Sequence, residues 1–336
     1  MRKRATIRDV AALAGASLKT VSRVINREPG VSPELAARVE HAVAQLGYRH
    51  NMAASNLRRG VRTSSIGVLL HDLSNEFSAT LLRAVEDATR PRGIAVFSAS
   101  LDNEAARESA LATDMVSRRV DGLVLMPTSS DQSYLLSDLL AGLAVVAVDR
   151  PVSGADVDTV VVDNAGGAST ATRHLAERGH ERIALLTDRI TLWTAAERHR
   201  GYVAGLKAGR LPYEPTLVVT DVSSSAQAAE EVHRLMRLPD PPTAIFAARN
   251  NLAVGTVRAL QELGRSQTVA LVGFDDFPLA DLVQPAVTVV SQDVAAAGAS
   301  AAQLLLERMD GGAASPRRVV LPTTLVERGS GEIAPV

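Results

Sequence analysis

The chain has 336 residues, of which 46% are hydrophobic, 22% are charged and none is cysteine. This length predicts two or three domains, and the composition excludes wholesale disorder, disulfides and cysteine-based catalytic or metal sites. No apolar run reaches the ~20 residues that span a bilayer, and the start MRKRATIRDV lacks the apolar core of a signal peptide, so we expect a cytoplasmic protein.

Positive charge is concentrated at the start of the chain. The first 62 residues contain 12 Lys/Arg and 4 Asp/Glu, although the whole chain has a formal net charge of only -1. The first segment therefore sums to +8 and the remaining 274 residues sum to -9. A basic head on an acidic body predicts that the head meets a polyanion while the body performs a different task.

Three short helices are predicted in the head. Thr6 caps the first helix, Ser17 the second and Ser32 the third, which has proline as its first helical residue. Gly15 and Gly47 end the first and the third helices. Two short helices across a tight turn are typical of a helix-turn-helix, whose second helix enters the major groove of DNA.

The second helix presents a basic face opposite its apolar positions. Arg23 has the planar fork that matches the edge of guanine, and Lys19 can read a base or hold a phosphate. The position of Leu18 fits either a core residue or a contact with a thymine methyl group. The alternative interpretation is a solvated basic face on a small helical bundle, which we disfavour because the charge coincides with a groove-sized motif.

The segments TIRDVAALAGASLKTVSRVIN and VSPELAARVEHAVAQLGYRHNMAASNLRRG closely resemble the N-terminal region of LacI/GalR-family transcriptional regulators. The resemblance implies that Leu18, Lys19 and Arg23 read bases and that neighbouring hydroxyl side chains contact or adjoin phosphates. The DNA-binding residues predicted in the head are Thr6, Ser17, Leu18, Lys19, Thr20, Ser22, Arg23 and Asn26.

The segment NMAASNLRRG matches the hinge helix of the family, which folds on the operator. Asn51 can cap a segment of only about seven residues, which is too short to be a stable helix alone in water. Leu57 matches the leucine that enters the minor groove and bends the duplex, and Ala54 matches the small residue beside the groove. The alternative is a plain linker with Leu57 packed on the body.

Beyond residue 64, short apolar runs alternate with longer amphipathic segments. These runs occupy residues 66–70, 94–97, 122–126, 144–148, 159–162, 183–186, 244–247 and 269–273. The alternation predicts parallel sheets built from βαβ units, arranged as one large sheet or as two smaller ones.

The LacI/GalR resemblance extends over the body and favours two lobes like those of periplasmic sugar-binding proteins. The predicted fold class is therefore α/β, with an all-α helix-turn-helix head and a hinge helix before a two-lobed body of parallel sheets flanked by helices. The expected divisions are the head at 1–47, the hinge helix and linker at 48–62, the first lobe at 63–162 plus 292–325, the second lobe at 163–291 and a tail at 326–336.

Polar residues follow several of the apolar runs directly, and open α/β sheets bind ligands at that edge. Carboxylate, amide and guanidinium groups suit a hydroxyl-rich ligand, and a sugar could stack on Phe77, Trp193 or Phe274. A loop cap or edge packing is the alternative for any one of these residues alone. With the family pattern, the predicted effector-binding residues are Asp72, Phe77, Asp149, Trp193, Arg198, Arg249, Asn250, Asp275 and Gln292.

One pair of residues departs from the family pattern. Arg249-Asn250 stands where many sugar-responsive members have Asn-Asp. A guanidinium and a neutral amide disfavour a plain neutral hexose and allow an anionic ligand such as a sugar phosphate or a sugar acid. The alternative is that Arg249 pairs with Asp275 or Asp276 at the mouth of the cleft.

Motifs of catalysis are missing from the sequence. There is no G-x-x-x-x-G-K-[ST], G-x-G-x-x-G, G-x-S-x-G or H-E-x-x-H, so we expect no enzymatic activity, no cofactor and no metal site. The C-terminal end lacks a leucine heptad of the kind that makes tetramers, so we expect a homodimer.

These observations predict a repressor that binds operator DNA as a homodimer, does not associate with a membrane, and is controlled by a sugar, a polyol, a sugar phosphate or a related small molecule. Four alternatives stay open from sequence. They are control by a co-repressor ligand, control by a protein co-effector, a solute-binding protein without regulatory activity, and a sugar-active enzyme.

Overall fold

The computed structural model describes residues 5–25, 28–48, 63–312 and 315–336. The chain divides into two compact units, a head at Met1–Thr63 and a body at Ser64–Val336. The head is helical in its described part, and the body has parallel-dominated sheets flanked by helices, which confirms the predicted α/β class.

The head contains the three predicted helices. They are α1 (Ile7–Ala14), α2 (Leu18–Ile25) and α3 (Pro33–Leu46). Thr6 and Asp9 form a capping box at the start of α1, and Gly15 ends this helix with a φ of 58°, a left-handed conformation that glycine adopts without strain. Val10, Val21 and Val39, one from each helix, are fully buried together. Local caps therefore set the helix limits, and a small apolar core joins the helices.

In the described part of the body, the strands form two six-stranded sheets. The first sheet has the order β11-β5-β4-β3-β1-β2 and is parallel throughout. Its strands are β1 (Ser65–Leu70), β2 (Ala95–Ser100), β3 (Gly122–Leu125), β4 (Ala144–Val148), β5 (Asp158–Val162) and β11 (Arg318–Leu321).

The second sheet has the order β12-β10-β9-β8-β6-β7 and is parallel except for β12, which runs antiparallel to β10. Its strands are β6 (Ile183–Leu186), β7 (Val218–Val219), β8 (Ala244–Ala247), β9 (Ala270–Phe274), β10 (Thr288–Gln292) and β12 (Thr323–Val326). Each sheet with its helices forms one lobe of the body.

Helices connect the strands as the alternating pattern predicts. They are α4 (Glu76–Thr89), α5 (Ala105–Ser117), α6 (Leu136–Leu140), α7 (Asn164–Glu177), α8 (Trp193–Ala208), α9 (Ser225–Leu235), α10 (Asn250–Glu262) and α11 (Val294–Met309). Separate apolar cores lie on the two faces of each sheet.

The chain passes between the lobes more than once. After β5 it enters the second lobe, and after β10 it returns, since α11 packs against the first sheet through residues such as Ala301 and Leu305. The sequence predicts that 292–325 belongs to the first lobe, but β12 within this range pairs with β10 of the second sheet. The predicted tail also packs on that sheet, where buried Ser330 donates to the carbonyl of Leu271 at 2.6 Å.

The buried carboxylate of Asp158 binds α11 and the residues before β11 to the first lobe. Asp158, the first residue of β5, is 1% exposed and accepts hydrogen bonds from Arg308 Nε at 2.8 Å and from the backbone N of Arg317 at 2.6 Å. Burial alone would raise the pKa of Asp158, but the hydrogen bonds from Arg308 and Arg317 outweigh it and lower the pKa. One carboxylate thus joins β5, α11 and the approach to β11.

We predict that Asp158→Ala destabilises the body by about 1–3 kcal/mol at pH 7, because it removes the buried acceptor of hydrogen bonds from Arg308 and from the backbone N of Arg317. Since the folded-state pKa is lowered, the contribution of Asp158 is present above the unfolded pKa of about 3.9 and is lost as the pH falls through the folded value. The measurement is urea unfolding at several pH values.

Asp114→Ala is the matched control, because Asp114 forms a solvent-exposed i,i+4 pair with Arg118. This substitution should change the free energy of unfolding far less. Equal losses for the two substitutions at pH 7 would contradict the role of Asp158.

Candidate functional site

The first candidate site is the exposed face of α2 in the head. Ser17 caps the helix, accepting from the backbone N of Thr20 at 3.1 Å. Leu18 is 47% exposed, so it is a surface residue and not part of the head core, and Lys19 beside it is also exposed. Arg23 lies one turn further along the helix and is half-buried.

The other predicted DNA-binding residues differ in their exposure and in their local contacts. Thr6 is exposed and makes the capping box with Asp9, so its hydroxyl serves α1. Ser22 and Thr20 are half-buried on the same helix as the base-reading candidates. Four predicted residues lie outside the described part of the chain, namely Asn26, Asn51, Ala54 and Leu57.

The second candidate site is a cavity between the lobes of the body, where strands of both sheets end. Six of the nine predicted effector-binding residues line this cavity, and they are Phe77, Asp149, Arg198, Arg249, Asn250 and Asp275. Asp72 lies in an adjoining groove, and Gln292 lies in another groove that also contains Asp275. Gln292 Nε2 donates to the carboxylate of Asp275.

Trp193 is not brought to the cavity, although its neighbours Thr194 and Ala195 line it. The guanidinium of Arg318 lies 5.5 Å from the centre of the Trp193 ring. Phe274 is fully buried under Arg198, whose guanidinium carbon lies 3.8 Å from the ring centre. Of the three aromatic candidates, Phe77 alone lines the cavity.

Two aspartates enter the cavity from strained backbone positions. Asp149 follows β4 with a φ of 67°, and Asp275 follows β9 with a φ of 71°. Left-handed backbone is uncommon for residues other than glycine, and such positions concentrate at functional sites. The same turn therefore occurs at the end of one strand in each lobe.

Charged groups along the cavity are matched in pairs. Arg150 Nε lies 3.4 Å from Asp149, and Arg198 Nη1 lies 3.4 Å from Asp275. Arg249 Nη1 donates to Asp188 at 2.5 Å, so its partner is Asp188 and neither Asp275 nor Asp276. Arg328 holds Asp276 instead, with Nη2 at 2.6 Å from the carboxylate.

The packing of helices fixes Arg198 in the cavity. Gly201 lets α8 approach α7 closely, since a Cβ atom there would stand 2.2 Å from the carbonyl oxygen of Ala165. Arg198 Nε then reaches Asn164 at 2.7 Å, and Nη1 reaches the carbonyl of Ala248 at 2.7 Å. These contacts leave the guanidinium little freedom, which is typical of a preorganised binding group.

Burial changes the ionisation of two cavity residues. It raises the pKa of Asp149, although Arg150 and Arg198 oppose the change. It also lowers the pKa of His71 to about 4, and the positive charges of Arg249 and Arg150 act in the same direction. His71 is therefore a neutral imidazole at pH 7, and its Nδ1 has no hydrogen-bond partner within the described residues.

Two amides join the lobes beside the cavity. Asn75 Nδ2 donates to Asn250 Oδ1 at 3.1 Å, and Asn250 Nδ2 donates to Asn75 Oδ1 at 3.2 Å. Asn75 precedes α4 of the first lobe, and Asn250 begins α10 of the second. A second bond between the lobes runs from Arg189 Nη2 to the carbonyl of Asn103 at 2.9 Å.

Sequence reasoning left several cavity residues out of the predicted set. His71, Arg150 and Asp188 each lie within two residues of the end of a strand, which is the signal that selected their neighbours. The sequence around Asn75 indicates only a helix cap, because Asn75 precedes a helix. Its contact with Asn250 spans 175 positions in the sequence, so no local pattern predicts it.

One group elsewhere in the body has the spacing of a metal site. In the described ranges, His174, Glu327 and Glu332 place their ligand atoms close together. Arg178 donates to Glu327 and contacts His174 Nδ1, both at 3.0 Å, and His174 Nε2 lies 2.6 Å from Glu332. A guanidinium thus occupies the acceptors that a cation would need, which favours a structural network.

Within residues 5–25, 28–48, 63–312 and 315–336, none of the helices is both long enough and apolar enough to cross a membrane.

Comparison with known proteins gives matches to both parts of the chain. Residues 6–51 match the family "Bacterial regulatory proteins, lacI family", and residues 172–331 match "Periplasmic binding protein-like domain". The ribose operon repressor of Escherichia coli K12 is 31% identical over 329 residues, which cover 97% of this chain and 99% of that protein.

Solved structures are similar over nearly the whole chain. The lac repressor dimer bound to operator and the anti-inducer ONPF has a TM-score of 0.85 at 25% identity, covering 98% of this chain and 99% of that one. A complex of the regulator CelR with cellobiose has a TM-score of 0.72 at 32% identity, covering 97% and 100%.

The burial of His71 predicts that the free energy of unfolding depends on pH. The folded-state pKa of about 4 lies below the ordinary value of 6.5, so the unfolded chain takes up the proton first. The stability that neutral His71 contributes is present above pH 6.5 and is lost as the pH falls towards 4. We expect His71→Asn to lose less stability than the wild type between pH 7.5 and 5, as measured by urea unfolding. Parallel losses would contradict the buried, neutral imidazole.

Proposed function

This chain belongs to the lacI family of bacterial regulatory proteins, and on that premise we propose that it is a transcriptional repressor whose head reads operator DNA and whose interlobe cavity binds a small effector. The observation that carries the proposal is one side of the capped helix α2, where exposed Leu18 and Lys19 lie beside half-buried Arg23 in the basic head. Such a face fits the major groove.

In this proposal the head divides its contacts between backbone and bases. Ser17, Thr20 and the N-terminus of α2 hold phosphates, which position the helix but carry no sequence information. Lys19 and Arg23 donate to base edges, and Leu18 contacts a thymine methyl group. The hinge helix and the insertion of Leu57 into the minor groove rest on the sequence alone.

We propose a neutral, polyhydroxy effector. Three guanidinium groups and three carboxylates line the described part of the cavity, so their formal charges cancel. The charge of Arg249 in particular is balanced by its ion pair with Asp188. An anionic ligand would have to displace one of these carboxylates, whereas sugar hydroxyls can donate to the aspartates and accept from the arginines. The complex of the relative CelR with cellobiose supports a sugar, as does the name of the ribose operon repressor.

Control of DNA binding would follow from a movement of the lobes. A ligand held by both lobes stabilises the arrangement in which it makes more contacts, and the head senses that arrangement through the hinge. The Asn75–Asn250 pair and the bond from Arg189 to Asn103 are contacts that such a movement would break or form.

We also propose a cytoplasmic homodimer, by analogy with the lac repressor dimer on its operator. The strand β2 is at the edge of the first sheet, and Phe97 on it is 44% exposed. Leu279 and Leu282 of the second lobe are 63% and 68% exposed. Exposed apolar residues in both lobes suit an interface between two copies of the chain.

The proposed division of the chain is a head at 1–47, a hinge at 48–62, and two lobes that exchange strands at 292–326.

Arg23→Ala tests base reading. We predict that it weakens binding to the operator by ~1–3 kcal/mol and relaxes the preference at one base pair, because a side chain that pairs with a base edge is lost. Gel shifts with the operator and with a scrambled duplex of the same length measure both effects.

Arg8→Ala is the matched control, because Arg8 is an exposed arginine of α1 and its loss removes the same charge from the head. It should change the affinities for the two duplexes alike. An equal loss on both duplexes for Arg23→Ala would refute base reading by this residue.

A further inference from the structure

The interlobe cavity adjoins a second, more open groove. The inner cavity has a volume of about 60 Å³ and the outer groove one of about 680 Å³. Both are lined by His71, Asp188 and Arg249. These three residues therefore form the boundary between the two spaces.

Arg249 is held in this boundary by contacts to two other segments of the second lobe. It follows β8 and caps α10, and its Nη1 donates to Asp188, which follows β6, at 2.5 Å. Its Nη2 points to the carbonyl of Ser223, ahead of α9, at 3.5 Å. The side chains of Arg249 and Asp188 are only 15% and 10% exposed. A planar guanidinium paired in this way is a rigid barrier and not a mobile surface group.

The outer groove has the polar groups that a carbohydrate needs. It is lined by carboxylates, amides and hydroxyl groups, including Asp72, Asn103, Asp221, Ser223 and Ser225. Groups of this kind pair with sugar hydroxyls in both donor and acceptor roles. The groove could therefore hold a second sugar ring if it were open to the inner cavity.

We propose that the Arg249–Asp188 ion pair is a partition that restricts the effector to a single sugar ring, and that Arg249 is the residue that sets this limit. The inference rests on the proposed sugar effector and specifies its size class. Shortening Arg249 would join the two spaces and admit a disaccharide whose second ring lies in the outer groove.

Two substitutions in the full-length chain separate the size of Arg249 from its charge. Arg249→Ala removes both the bulk and the ion pair, whereas Arg249→Met removes the ion pair and keeps a long side chain across the boundary. Arg249→Ala combined with Asp188→Asn removes the carboxylate that would otherwise be left unpaired, and it guards against loss of folding in the single variant. Far-ultraviolet circular dichroism checks the fold of each protein.

The probes are neutral monosaccharides (ribose, glucose and galactose), disaccharides (cellobiose, maltose and lactose) and glucose 6-phosphate. Thermal shift identifies the sugars that bind, since a ligand selective for the folded state raises the melting temperature, and calorimetric titration then gives the Kd. We expect the wild type and Arg249→Met to respond to a monosaccharide only. Arg249→Ala and the double variant should gain a response to a disaccharide that contains the same ring, with a Kd at least about tenfold lower than for the wild type.

Three results would overturn the partition. They are a wild type that binds a disaccharide as tightly as its monosaccharide, an Arg249→Ala protein that is folded but gains no disaccharide, and an Arg249→Met protein that gains as much as Arg249→Ala. In these cases a neutral sugar still binds the wild type, so the proposed function stands. A wild type that responds only to glucose 6-phosphate, or to no sugar at all, would refute the neutral sugar effector and the partition together.

Discussion

The burial of charge in the interlobe cavity is the constraint on which the body of this protein depends. Arg150, Arg198, Asp149 and Asp275 are each less than 10% exposed, and a buried charge without a partner is costly. Each of these charges is therefore matched by a neighbour within the described residues, as Arg249 is by Asp188. A ligand entering the cavity must exchange hydrogen bonds with groups that are already neutralised in pairs, which favours hydroxyl groups over a net charge.

The fold supplies these groups from both lobes. Parallel strands of the two sheets end at the cavity, and left-handed backbone at Asp149 and at Asp275 turns a carboxylate inward on each side. The lobes meet through the reciprocal amides of Asn75 and Asn250. Because the same cleft holds the charged groups and the contacts between lobes, occupation by a ligand and the arrangement of the lobes are coupled by geometry.

Local signals were enough to predict the head, and they were not enough to predict the contacts of the cavity. Thr6, Gly15 and Gly47 set helix limits through their own backbone neighbours, so the sequence predicts α1 and α3 closely. Strand β7 has two residues, and β11 and β12 are four-residue strands on either side of Pro322 that enter different sheets, a division that no local pattern specifies. The sequence interpretation offered Asp275 or Asp276 as the partner of Arg249, whereas the fold pairs it with Asp188, 61 positions away, which no local pattern specifies.

In the proposed mechanism, the cavity and the head share one conformational equilibrium. Linkage then requires that a sugar which changes operator affinity by some factor has its own affinity changed by the same factor when the operator is bound. The most direct measurement is calorimetric titration of the sugar into the full-length protein, alone and saturated with operator duplex, beside operator binding with and without the sugar. We predict that the sugar changes operator affinity, and the operator changes sugar affinity, by the same factor of about 5 to 150. A sugar affinity that is identical with and without operator would contradict this shared equilibrium.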